Sequence, residues 1–187
     1  MKTACSSRLA ALMILASSLL FAIRSLSADT SAQIDREVDA ALHKLYETSP
    51  AARELRKVAK GVLVFPRIVK GGFIVGGQYG EGALRKEDGT GDYYRSVAAS
   101  WGLQAGVQSY GYALFFMTKD AIKYLDRSSG WEIGVGPSIV IVDQGMARNL
   151  TTTTAREDVY AFIFDQKGLM AGAGLQGSKI TRIQPRS

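Results

Sequence analysis

The stretch that most constrains the fold is residues 60 to 82, Lys60-Gly-Val-Leu-Val-Phe-Pro-Arg-Ile-Val-Lys-Gly-Gly-Phe-Ile-Val-Gly-Gly-Gln-Tyr-Gly-Glu-Gly82. Two apolar runs, Val62–Phe65 and Phe73–Val75, have strand length and are β-branched or aromatic. Between them Pro66 removes a backbone donor, while Lys70, Gly71 and Gly72 let the chain turn tightly or approach other backbone. Gly76, Gly77, Gly80 and Gly82 leave little side-chain bulk on the strand that follows, as closely packed strands require.

The chain begins differently. Lys2 and Arg8 precede an apolar stretch, Leu9–Ile23, followed by Ser25-Leu-Ser-Ala28, the pattern of a secretory signal peptide. Residues 1–28 are therefore expected to be a signal cleaved after Ala28, with an uncleaved N-terminal anchor as the alternative. Cys5 precedes the apolar stretch, where a lipoprotein cysteine would follow it, so a lipid anchor is not expected there. Removal of the first 28 of the 187 residues leaves 159 residues, 29–187, without a cysteine. That length suits one domain, held by burial and hydrogen bonding rather than disulfides. Loss of Lys2, Arg8 and Arg24 takes the net charge from +6 to +3, so local charge distribution matters more than the total.

Ile34, Val38, Ala41, Leu42 and Leu45 recur at helical spacing and predict an amphipathic helix over 31–46. Ser49 and Pro50 predict the cap and first position of a second helix, 51–60, ending at Gly61. The period then becomes strand-like. Asp88-Gly89 reads as a hairpin turn, and residues 100–110 alternate as one strand, with 112–117 a further aromatic strand. Thr118 is expected to cap a helix running to Arg127. Trp131, Ile133 and Val135 alternate, 139–142 follow as a strand, and 143–157 read as a long surface connection. Val159–Phe164, a turn at 166–168 and a strand-like tail over 169–183 close the chain. Trp101, Trp131 and Phe162 are expected in the core, and Tyr79, Tyr94, Tyr110 and Tyr112 at sheet edges or along a groove. The fold class expected is α+β: N-terminal helices packed on a mostly antiparallel, strongly curved sheet, barrel- or sandwich-like.

Chemical motifs are sparse. Gly172-Ala-Gly174-Leu-Gln-Gly177 matches a dinucleotide fingerprint by letter, but only ten residues follow and none is acidic. The same segment has Ser178-Lys179 in the reverse of the phosphate-loop order. His43 is the only histidine and lies off the apolar stripe, which leaves neither a triad nor a zinc site supplied. Glu87, Asp88 and Asp92 miss calcium-loop spacing and suit a turn. No catalytic residue, metal site or cofactor is expected.

The basic stretch carries more. Arg53, Arg56, Lys57, Lys60, Arg67 and Lys70 fall within eighteen residues, with Glu54 the only acid. On a helix Arg53, Lys57 and Lys60 are neighbours, and beside a Lys/Gly turn they could meet phosphates. The bland alternative is a solvated helix face.

Lys60-Gly-Val-Leu-Val-Phe-Pro, Lys70-Gly-Gly-Phe-Ile-Val-Gly-Gly-Gln-Tyr-Gly, Gln104-Ala-Gly-Val-Gln-Ser-Tyr and Gly168-Leu-Met-Ala-Gly-Ala-Gly-Leu-Gln-Gly-Ser-Lys-Ile together resemble the SYLF family, over about residues 35–183. Eukaryotic members bind phosphoinositides and, in some, actin; bacterial members are exported. The resemblance implies a non-enzymatic lipid-binding module whose N-terminal helical part contributes to membrane contact. Lys60 and Lys70 come from matching motifs, whereas Arg53, Lys57 and Arg67 come from charge and spacing. These five are the expected lipid- or anion-binding residues.

The function expected is an exported module, periplasmic or secreted and peripheral at a membrane, contacting anionic phospholipid or phosphoinositide-like headgroups. The alternative is an envelope structural or protein-interaction module without a lipid ligand. Nucleic acid is not an expected partner.

Overall fold

A computed structural model describes residues 29–72, 75–89, 91–101, 106–127, 130–148, 150–168 and 177–186. The expected signal peptide, its cleavage point and Cys5 lie outside the described residues, as do 169–176 of the expected C-terminal strand and the side chain of Trp101.

Helix α1, Ser31–Thr48, begins where the Thr30 side chain accepts from Gln33 N at 3.2 Å, and it buries Ile34, Val38 and Leu45. Ser49 ends α1 and caps α2, Pro50–Arg56, by accepting from Ala52 N at 3.2 Å. The second helix stops short of the expected residue 60. Lys60 N instead donates to Phe116 O at 2.7 Å, so sheet pairing has already claimed the backbone there.

Eight strands follow: β1 Gly61–Gly72, β2 Val75–Lys86, β3 Gly91–Trp101, β4 Gly106–Phe116, β5 Trp131–Glu132, β6 Ile139–Ile141, β7 Val159–Gly168 and β8 Lys179–Ile183. Short helices α3, Lys119–Lys123, and α4, Gln144–Ala147, lie between β4 and β5 and between β6 and β7. The strands form one strongly curled sheet in the order β5-β8-β3-β2-β1-β4-β7-β6. Every pair is antiparallel except β6 with β7. The α+β expectation holds.

The β1–β2 hairpin sits in space between β3 and β4. Residues 100–110 therefore do not form one strand: β3 ends at Trp101 and β4, on the other side of the hairpin, starts at Gly106. The alternation had continued across a reversal of the chain. Along β1, register slips between Phe65 and Ile68, a bulge centred on Pro66 and Arg67 where the missing proline N–H costs no ladder bond. Gly82 makes room opposite, since a Cβ there would lie 2.0 Å from Val64 O.

Both faces of the sheet carry core. On the helix face, Val62, Val64, Ala83, Ala113, Phe115, Tyr160 and Phe162 pack with α1 and α2. Asp35 and Asp39 of α1 accept from Arg85 Nη2 at 2.9 and 3.0 Å, and Tyr93 OH donates to Asp35 at 2.8 Å, tying that helix to β2 and β3. On the opposite face, Leu63, Phe65, Ile68, Leu84, Leu114 and Phe116 pack with Ala121 and Ile122 of α3 and with Trp131.

Four local expectations are corrected. Tyr94, Tyr110 and Tyr112 are fully buried core side chains, and of the four tyrosines only Tyr79 is exposed. Strand alternation at 131–135 stops after Glu132, because Ile133 enters a turn and Val135 is exposed. The turn expected at 166–168 is instead a bulge inside β7, with Asp165 at φ 52. The 143–157 connection includes α4 and buries Leu150.

Candidate functional site

The strand β1 separates the five expected contact residues into two groups. Lys60 precedes it, beside Phe116, at the near end of the strand. Lys70 lies close to its other, far end, where Gly72 pairs with both Gly76 and Gly106. Ten residues of extended chain separate Lys60 from Lys70 by roughly 30 Å, and Arg67 turns toward Glu37 of α1, so Lys70 shares no surface with the other four.

Most of the five already have protein partners. Arg53 Nη1 donates to Tyr46 O at 2.9 Å, at the C-terminal end of α1. Lys57 pairs with Glu54 at 2.6 Å and Lys60 with Glu87 at 3.1 Å. Arg67 stands 3.7 Å from Glu37. Neither Arg53 nor Lys70 has an acid within ion-pair distance among the described residues, and Arg53 is held by the backbone carbonyl of Tyr46. His43 is a surface residue, 3.5 Å from Glu47.

Register brings the sequence motifs together at the far end. Gly76 pairs with Ser100, Gly72 with Gly106, and Gln108 with Gly168, so segments far apart in the chain meet. Lys70 pairs with Gln78 on one side and Gln108 on the other, which places all three on the face opposite the helices. Tyr110 OH donates to Gln78 Oε1 at 2.9 Å, and Gln78 Nε2 donates to Ser178 Oγ at 2.6 Å. One layer in, Tyr112 OH donates to Ser96 Oγ at 2.9 Å.

Gln108 is different. It is 2% exposed and its Oε1 has no hydrogen-bond partner among the described residues. A buried acceptor left open in this way is destabilising, and Gln108 is the cross-strand neighbour of the half-buried Lys70. Burial pushes the Tyr110 hydroxyl up to about 12, with its bond to Gln78 opposing, and pushes Tyr112 up further. Both phenols are therefore neutral donors at ordinary pH. The chemistry on offer is a cation and an open acceptor side by side, which suits an anionic group that also carries a donor such as a hydroxyl.

Sequence reasoning reached Lys70 but not Gln78, Gln108, Tyr110 or Ser178. Gln108 was legible only as a polar member of an alternating strand, which ordinarily means solvent. The second layer of core on that face reverses the meaning.

Among the described residues no group of three or more His, Cys, Asp or Glu could hold a metal ion, and no helix is long and apolar enough to cross a membrane. No curated protein matches the chain. A family profile does: the family described as Ysc84, Las17-binding protein actin regulator, matches residues 97–185, from within β3 to beyond β8. This segment includes the Gln104 and Gly168 motifs, so over residues 97–185 the chain is similar to the Ysc84 (SYLF) family.

Proposed function

We propose that the protein is a non-enzymatic, exported module that binds anionic lipid headgroups at a membrane surface, from the periplasmic or secreted side. The observation that carries this reading is Lys70, unpaired by any described acid and flanked by Gln78 and the open acceptor of Gln108. A phosphate would take the ammonium, and a neighbouring headgroup hydroxyl would satisfy Gln108 Oε1. The near-end cations support it as a secondary contact. Their exposed ion pairs are worth only about 0–1 kcal/mol, so Lys57 and Lys60 can exchange Glu54 and Glu87 for a headgroup at little cost.

Co-sedimentation of the purified protein with neutral and anionic vesicles, at low and high salt, tests this. The expected result is binding to anionic vesicles alone, weakened by salt and reduced several-fold by Lys70→Glu. Equal sedimentation with both vesicles, or none with either, counts against it.

A second reading is a protein-interaction module, favoured by the family description, which names a protein partner for its members. Salt-insensitive capture of a partner without vesicle association would select it.

A further inference from the structure

Among the described residues, the helices cover only the near part of their own face of the sheet. Past α1 a single cross-strand row runs Lys179 on β8, Val97 on β3, Tyr79 on β2, Val69 on β1, Ser109 on β4 and Lys167 on β7, each paired in register with the next. Register pairing puts all six on one face. Val97, Tyr79 and Val69 are 44%, 46% and 47% exposed. In the next row outward Gly71 pairs with Val107, which is 64% exposed and stands above backbone with no side chain beside it on β1. The row thus has an apolar centre and a lysine at each flank, about 24 Å apart across five strand spacings.

The charges around it are largely settled. Toward α1 lie Arg67 with Glu37 and Arg95 with Glu81, each pair neutral. Tyr79 OH donates to Glu81, and the Arg95 guanidinium lies 5.5 Å from the Tyr79 ring centre. Glu132 stands beyond Lys179 at the end of the row, paired with it in register. Lys167 and Lys179 have no ion pair within 4.0 Å among the described residues.

We infer that this bare half-face is where the protein lies on an anionic bilayer, with Val69, Tyr79, Val97 and Val107 entering the headgroup region and Lys167 and Lys179 meeting lipid phosphates on either side. The inference takes from the reading above only the choice of an anionic bilayer: Lys70 lies on the opposite face of the sheet, and it is the face on the helices' side, not the N-terminal helices themselves, that makes the apolar contact. An amphipathic tyrosine beside valines, with lysines at the margin, is the arrangement that an interface between water and acyl chains favours. Each lysine near an anionic leaflet adds attraction that salt removes. A second copy is the poorer fit. Two such rows face to face would bring lysine against lysine, whereas an anionic surface complements both.

The test is vesicle co-sedimentation with the full chain, using phosphatidylcholine alone and phosphatidylcholine with phosphatidylglycerol. Val69→Asp with Val107→Asp, both at exposed positions, should cut the bound fraction at least ten-fold with an unchanged melting temperature. Lys167→Glu with Lys179→Glu should cut it several-fold and flatten the salt dependence. A Cys5→Ser, Val107→Cys chain carrying an environment-sensitive dye should shift its emission to the blue on anionic vesicles, which keeps the test alive if the aspartates impair folding. Vesicle binding by a folded Val69→Asp, Val107→Asp protein at the wild-type level, or a dye that does not shift on bound vesicles, overturns this surface while leaving headgroup binding at Lys70 standing. Absence of wild-type binding to either vesicle removes both. A wild-type dimer that Val107→Asp turns into a monomer, with vesicle binding unchanged, assigns the face to a second copy and overturns the inference.

Discussion

At the near end, Val62 and Val64 of β1 are buried beneath α1 and α2, while Val69 on the same face of the same strand is half exposed. The opposite face changes in parallel. Leu63 and Phe65 sit in an apolar core, whereas Lys70 stands between two glutamines. One strand thus passes from a dry, doubly covered half to a half that is polar on one side and bare on the other. The change falls across the Pro66–Arg67 bulge, where Arg67 still meets Glu37 of α1. The near half is thus buried on both faces, whereas the far half is buried on one face, through Gln78, Gln108 and Tyr110, and exposed on the other.

The largest effect that would break this contrast lies in the near half. Phe115 is fully buried between the rings of Tyr46, at 6.4 Å, and Phe162, at 5.1 Å. Phe115→Ala should cost about 3–5 kcal/mol in urea unfolding. A loss below about 1 kcal/mol would mean that the helix-side core is not the stabilising half.

The junction between the halves is sharpened by pH. Tyr110, raised to about 12, keeps its proton in the folded state after the unfolded chain begins to lose it. The folded state then binds more protons, so this contribution is intact below about pH 10 and falls as pH rises toward 12. A decline of order 2 kcal/mol over that window is expected from denaturation at a series of pH values, with a shallower slope in Tyr110→Phe. An unchanged slope would place the titration elsewhere, among the other tyrosines raised by burial, Tyr46, Tyr79, Tyr93, Tyr94 and Tyr112.

The smallest effect belongs to the far half. Val107→Ser should change stability by less than about 0.5 kcal/mol, since that side chain is 64% exposed. A loss above 1 kcal/mol would show that the far face is covered in the folded protein, and the contrast would fail.

Much of this was legible residue by residue. Thr118, Ser49 and Pro50 start helices where expected, and Gly89, at φ 78, turns the β2–β3 hairpin. Such features depend on one to four neighbouring residues. The buried tyrosines were not legible, because their hydroxyls read as surface until Gln78 and Ser96 are seen to receive them. The five basic residues read as one patch because they are close in sequence, but an extended strand carries Lys70 far from Lys60.

The α+β class, the helix starts, the hairpin turn and the likeness to the SYLF family were already present in local periodicity, capping chemistry and motif order. Only the tertiary structure decided that the β1–β2 hairpin lies between β3 and β4, that three distant glycine motifs meet at the far end, and that Gln108 is buried with an open acceptor. The reason is that strand pairing is made by backbone groups every residue carries. Which strand lies beside which is settled by the packing of both faces at once, and no short stretch of sequence contains both partners.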